Sequence, residues 1–267
     1  MHKKLAIFLF FDYLCKVKSK LLYIFLFITT IVTLLWLYCH APLKVGGWTK
    51  QTAYVWLLDA LHTQADNALP KIMLIDDDSG DGVFVIKTIC KELDIKAAFA
   101  VIPKRMTSRV SDSLVVWQQD GFGIVLHGYD HDNWEHWSKA EVLYDIDISK
   151  KTLSQMGFDI NQIKIIAPPY SRNTKAIRSA ISDSECKMVT GANLVNPDIE
   201  VFQMGRILIS KQTNEEYIKS VLKEAKEKQM FVILGTHSSD TTVFSKELTK
   251  NILILAKDLG FKFITNF

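Results

Sequence analysis

An α/β body built on a mostly parallel sheet or a β/α barrel is the fold class the sequence predicts. The first reason is that, from residue 71 onward, short apolar runs alternate with amphipathic stretches of helical period. The second is that the runs and stretches follow one another singly, with no separate block of strands or of helices. Strands that alternate with covering helices pair in parallel. The third is length: the body is long enough for one domain with a sizeable core, and it shows no repeat or low-complexity segment.

The elements follow in order. Lys71 to Ile75 reads as a strand, followed by a Ser-Gly-Asp-Gly turn at 79 to 82 and a helix through Leu93, with Val83, Ile86, Cys90 and Leu93 on one face. A strand at Lys96 to Ile102, a helix around Ser111 to Gln119 and a strand at Gly123 to Leu126 come next. Trp134 to Met156 is mostly helical, and Ile163 to Ile166 is a strand running into Pro168 and Pro169. A helix at Thr174 to Ser182 precedes strands near Lys187 to Thr190 and Arg206 to Ile209. Asn214 caps a helix through Gln229 whose stripe is Ile218, Val221, Leu222 and Ala225. A strand at Phe231 to Leu234, a helix within Thr241 to Leu259 and a strand at Phe261 to Thr265 close the chain.

The N-terminal part reads differently. Leu21 to Cys39 is an uncharged apolar run of nineteen residues, and at about 1.5 Å per residue a helix of that length crosses a bilayer core. Lys3, Lys4, Lys16, Lys18 and Lys20 precede it, while only Lys44 follows closely. That bias places the N-terminus in the cytoplasm and the body outside it, as a single-pass membrane protein. The expected organisation is a basic cytoplasmic tail at 1–20, a transmembrane anchor at 21–39, a connector at 40–70 with a helical stretch around 54–61, and a catalytic body at 71–267. A cleaved signal ending near Cys39, His40 and Ala41, or a buried helix, are the competing readings of the same run.

The formal net charge of +3 is a property of that basic tail. The body carries no basic patch or stripe, which argues against nucleic acid as a partner. Cysteines at 15, 39, 90 and 186 make neither a disulfide framework nor a CxxC metal pair. A Cys90–Cys186 bridge stays open, because sequence does not show whether the two meet.

Four polar segments fall where strands end and loops begin, the place where sites gather in such folds. They are the three carboxylates Asp76, Asp77 and Asp78, then HGYDH at 127 to 131, APPY at 167 to 170 and THSSD at 236 to 240. Adjacent carboxylates raise one another's pKa unless a cation compensates. His127 and His131 with Asp77 form a two-histidine, one-carboxylate set that suits zinc and leaves a position for water. His131, Asp132 and His136 are an alternative set. His237 follows a strand end, and imidazole is the side-chain type suited to giving a proton to a leaving amine near neutrality. Trp134, Trp137 and Tyr129 flank the histidine loop, where they either stack on sugars or pack helix against sheet.

In these residues the sequence resembles the polysaccharide deacetylase family, the NodB-homology or carbohydrate esterase 4 group, and its divergent branch labelled domain of unknown function 2334. The family's TFDDG motif is similar to LIDDD at 74 to 78, its histidine-pair motif to HGYDH, its RPPY loop to APPY, and its late leucine-histidine motif to LGTH at 234 to 237. The resemblance implies a distorted or incomplete seven-stranded (β/α) barrel. It also implies Asp76 as general base, Asp77, His127 and His131 as ligands of one divalent metal, Zn2+ being the expected ion, Tyr170 as backbone donor to the oxyanion, and His237 as acid. The implied substrate is an acetylated extracytoplasmic or cell-surface glycan, losing N-acetyl groups from amino sugars. Ala167 stands where relatives carry an arginine that orients the base, Asp78 replaces a glycine, Gly128 replaces a hydroxyl residue, and no aspartate-tryptophan motif braces His237. These departures leave two other expectations: a catalytically silent glycan-binding or assembly protein, and a deacylase acting on an O-acetyl ester or another amide.

Overall fold

The computed structural model of the chain describes residues 69–197 and 199–267. The elements are β1 (Lys71–Asp76), α1 (Val83–Leu93), β2 (Ala98–Val101), α2 (Ser108–Gln119), β3 (Gly123–Leu126), α3 (Lys139–Gln155), β4 (Ile165–Ile166), α4 (Lys175–Asp183), β5 (Lys187–Gly191), β6 (Gln203–Leu208), α5 (Glu215–Glu227), β7 (Val232–Thr236), α6 (Lys246–Asp258) and β8 (Lys262–Phe263). Five of the helices begin at hydroxyl or amide caps: Thr107, Ser138, Thr174, Asn214 and Ser245 each accept a hydrogen bond from a backbone N–H of the first turn. Ser138 and Glu141 complete a reciprocal capping box, which fixes the start of α3 just beyond the histidine loop.

All strand pairings of the sheet are parallel, in the order β2-β3-β4-β5-β6-β7-β1-β8, and β1 also pairs with β2. That last pairing changes the architecture from the one expected. The seven strands β1 to β7 form a closed barrel, not an incomplete one. The reason lies in how β1 divides its free edge. Lys71 and Ile72 pair with the two-residue β8, and beyond its end Ile75 and Asp76 pair with Ala98 and Phe99 of β2. Because β8 stops short, the seam zips shut at the C-terminal end of the strands.

Alternation along the strands sorts the core into two clusters. Ile72, Leu74, Phe99, Leu126, Met188, Ile207 and Leu234 belong to the cluster packed against the helices. Met73, Ile75, Ala98, Ala100, Val125, Ala167, Val189, Met204 and Ile233 form the second cluster, inside the barrel. The interior residues include the small Ala98, Ala100 and Ala167, all fully buried. Cys90 and Cys186 are buried and free, so they form no bridge. Trp134 is fully buried and stacks on Trp137, with ring centroids 6.2 Å apart, so for Trp134 the helix-to-sheet packing reading holds and sugar stacking does not.

The expected membrane anchor also requires correction. Among the described residues no helix is long and apolar enough to cross a membrane. The tail, the Leu21–Cys39 span and the connector helix around 54–61 lie outside the described residues. The membrane partner and the extracytoplasmic location inferred from that span are therefore withdrawn.

Candidate metal centre

Parallel strands bring every C-terminal strand end to one rim, so residues far apart in sequence converge there. The end of β1 supplies three consecutive carboxylates with three different environments. Asp76 continues the Ile72, Leu74 parity, which faces the helices. Its carboxylate accepts hydrogen bonds from Thr236 Oγ1 (2.7 Å), Ser238 N (2.9 Å) and Ser238 Oγ (2.5 Å), and it is fully buried. Burial pushes its pKa up to about 7 despite those donors, and the neighbouring charge of Asp77 adds to the rise.

Asp77 continues the Met73, Ile75 parity into the barrel. Arg206, from β6, donates to both of its oxygens at 2.6 Å from Nη1 and Nη2, and both side chains are buried. Burial opposes the charge of Asp77, but the Arg206 guanidinium outweighs it, helped by His127 and His237, and holds the carboxyl below its ordinary range. Asp77 Oδ2 lies 3.8 Å from His127 Nε2 and 3.4 Å from His237 Nε2.

Asp78 turns outward through a left-handed backbone (φ 72°) and faces both histidines of the next loop. Its Oδ1 is 3.6 Å from His127 Nε2 and 3.7 Å from His131 Nε2. Among the described residues, Asp78, His127 and His131 are the His, Cys, Asp and Glu side chains that gather as metal ligands do, with one donor atom of each within 4.8 Å of the others. Asp132 and His136, of the alternative set, do not join them.

The histidine loop is held from several sides. His127 Nδ1 lies 2.6 Å from the carbonyl of Ala167, so that nitrogen carries the proton and Nε2 presents its lone pair to the site. Asp145 accepts from the Tyr129 amide at 2.7 Å, and Asp130 is clamped by Lys104 (2.5 Å) and Arg105 (2.9 Å). Gly128 has φ +78°, and a Cβ there would stand 2.9 Å from Pro169 Cγ, so the close approach of the two loops demands glycine. His131 itself has φ 56°, and burial followed by the charge of His127 lowers its pKa, which favours the neutral, metal-binding imidazole. Tyr170 and Ser171 of the APPY segment also adopt left-handed backbone, with φ 53° and 54°. Such strain in non-glycine residues gathers at functional sites. The Tyr170 ring packs on His131 at 4.5 Å between centroids.

The rim thus unites Asp77, Asp78, His127, His131 and His237, and Tyr170 reaches it through its contact with His131. Asp76, expected as the base, has its oxygens engaged by Thr236 and Ser238 on the helix side of the wall. Asp77, expected as a ligand, has both oxygens engaged by Arg206. Arg206 is absent from the site residues read from the sequence, although a charge among the apolar residues Met204, Ile207 and Leu208 of its strand is itself a signal, since a buried cation needs a partner. Two imidazoles and a carboxylate, one imidazole oriented by a carbonyl, are a donor set compatible with a divalent metal.

The polysaccharide deacetylase family profile matches residues 70–189. None of the curated proteins matches the chain. Among solved structures, the chain is similar to the carbohydrate esterase 4 domain of a multidomain xylanase from the hindgut metagenome of Trinervitermes trinervoides, with 17% identity and a TM-score of 0.53, covering 74% of this chain and 87% of that one. It is similar to a family 4 acetyl xylan esterase from Clostridium thermocellum in complex with a cobalt ion, with 14% identity, a TM-score of 0.54, and coverage of 72% and 86%. It is also similar to a peptidoglycan N-acetylglucosamine deacetylase, with 15% identity, a TM-score of 0.55, and coverage of 74% and 87%. At these identities the structural likeness is one of fold, and nothing in the matches singles out the divergent branch labelled domain of unknown function 2334. The family match over residues 70–189, on this closed barrel with a His/Asp cluster at its rim, supports a place for the chain in the polysaccharide deacetylase superfamily, the carbohydrate esterase 4 or NodB-homology group.

Proposed function

We propose that the chain is a metal-dependent hydrolase that removes N-acetyl groups from amino sugars of a glycan. The observation that carries this reading is the convergence of Asp78, His127 and His131 within ligand separations, with Asp77 and His237 beside them. Asp78, His127 and His131 hold the metal, with zinc favoured by the N, N, O donor set. When bound, a divalent ion there polarises the acetyl carbonyl and makes water a better nucleophile near neutral pH.

The chain's own groups supply the rest. Asp77, charged and oriented, accepts the proton as water attacks the carbonyl carbon. The backbone amide of Tyr170, in its strained loop against His131, donates to the oxyanion. His237, with Nε2 3.4 Å from Asp77, gives a proton to the departing amine as the C–N bond breaks, so water and amide become acetate and a free amine. This reading shifts the roles implied by the sequence resemblance by one residue along β1, from Asp76 and Asp77 to Asp77 and Asp78. The side-chain environments of the three carboxylates support the shift.

The test is acetate release from N-acetylglucosamine oligomers and acetylated cell-surface glycans by the chain loaded with zinc, next to Asp77→Asn. Release by the parent chain and its loss in the variant are expected. A zinc-loaded chain that frees acetate from no acetylated glycan sinks the reading, and release from acetylated xylan alone moves it to an O-acetyl ester. The silent glycan-binding alternative draws on Ala167, yet Asp77 has a guanidinium partner in Arg206, so no observation favours it.

A further inference from the structure

We infer that Arg206 is a positioning residue that holds Asp77 off the metal and so reserves for water a coordination place that Asp77 otherwise fills. The inference rests on the metal-centre reading above. Two carboxylates approach the same imidazole almost equally: Asp77 Oδ2 is 3.8 Å and Asp78 Oδ1 is 3.6 Å from His127 Nε2. Proximity therefore does not separate ligand from base. What separates them is the guanidinium fork on Asp77, which donates to both oxygens at 2.6 Å and so opposes rotation of the carboxylate toward a cation.

The barrel is built to admit this arginine. Arg206 starts on β6 and passes Gly235 of β7, where a Cβ would lie 3.2 Å from Arg206 Cδ and 2.6 Å from Leu208 Cδ2. Glycine in β7 thus clears its path. Arg206 Nε is buried without a hydrogen-bond partner, an unfavourable feature that the two charge-assisted bonds to Asp77 offset. Arg206 also comes to the rim from a strand other than the loop where the sequence has Ala167, which is itself buried in the barrel interior.

The experiment compares the full chain with Arg206→Met, Arg206→Lys, Asp77→Asn and the double change Arg206→Met with Asp77→Asn. Zinc affinity is read by chelator competition and coordination by the visible spectrum of the cobalt-loaded protein. Arg206→Met frees Asp77 to become a fourth ligand, so zinc binding tightens by about tenfold or more, the scale of outer-shell effects on metal sites. The cobalt spectrum changes with it toward a fully protein-ligated tetrahedral form. The double change reverses both effects. Lysine offers one ammonium in place of a fork, so Arg206→Lys moves zinc affinity in the same direction by less, and it decides the matter if the methionine variant does not fold. Folded variants with unchanged or weaker zinc binding overturn the inference, as does tightening that persists in the double change, which assigns the effect to lost positive charge alone. Zinc binding by the parent chain without these changes overturns only this inference. A parent chain that binds no zinc overturns the metal-centre reading and this inference with it.

Discussion

Asp76→Asn tests which face of β1 carries the chemistry, because Asp76 and Asp77 are neighbours on opposite sides of one strand. The carboxyl of Asp76 is fully buried and its pKa rises from 3.8 to about 7. At about 1.36 kcal/mol per pH unit, that rise corresponds to at most about 4 kcal/mol of linkage between proton binding and folding. Since the folded pKa is raised, the folded chain holds the proton more tightly than the unfolded chain. The contribution is complete below about pH 4 and is lost as the pH climbs through about 7. Asparagine cannot ionise, so the variant escapes that loss. Urea unfolding at pH 5 and pH 8 is expected to show the stability of the variant relative to the parent improving with pH by up to about 3 kcal/mol, the share of that linkage lost between pH 5 and about 7. At pH 5 the variant is the less stable by about 1 to 2 kcal/mol, the scale of a disturbed buried hydrogen bond to Ser238 or Thr236. The same variant keeps zinc and acetate release. Parallel pH profiles for the two proteins refute the linkage argument, and a folded, zinc-loaded Asp76→Asn chain without turnover returns the role of base to Asp76.

Further outcomes follow from the same geometry. Asp78→Ala, at a partly exposed side chain, leaves unfolding stability within about 0.5 kcal/mol but weakens zinc binding in chelator competition by more than the about 10–100-fold typical of outer-shell changes; zinc retained by Asp78→Ala and lost by Asp77→Ala makes Asp77 the ligand. Gly128→Ala forces a side chain onto a φ of +78° and against Pro169, so it costs about 1 to 3 kcal/mol in urea unfolding and lowers zinc affinity as the histidines on either side shift. Trp134→Ala empties a fully buried site, costs about 3 to 5 kcal/mol and lowers Tm in a calorimetric scan by roughly 10 °C or more; a thermally neutral variant that loses only glycan binding contradicts the packing role.

Much of the order was legible in the sequence. The capped helices behind Asn214 and Thr174, the strands at Lys71–Asp76 and Gly123–Leu126, and the delivery of His127 from a strand end all follow from periodicity and local capping, which act over a few residues. The gathering of the four polar segments followed from one rule, that alternating strands and helices pair in parallel and so end on one side. The identity of the inward carboxylate did not follow. Ile72, Met73, Leu74 and Ile75 are all apolar, because a strand of this barrel is buried on both faces, so the pattern carries no mark of which aspartate points inside. Tertiary structure alone decided three things: the phase of β1, the closure of the barrel beyond the short β8, and the bond between Arg206 and Asp77, 129 positions apart. Each depends on which strand lies beside which, a long-range choice made by the packing of the whole sheet and written in no local stretch of residues.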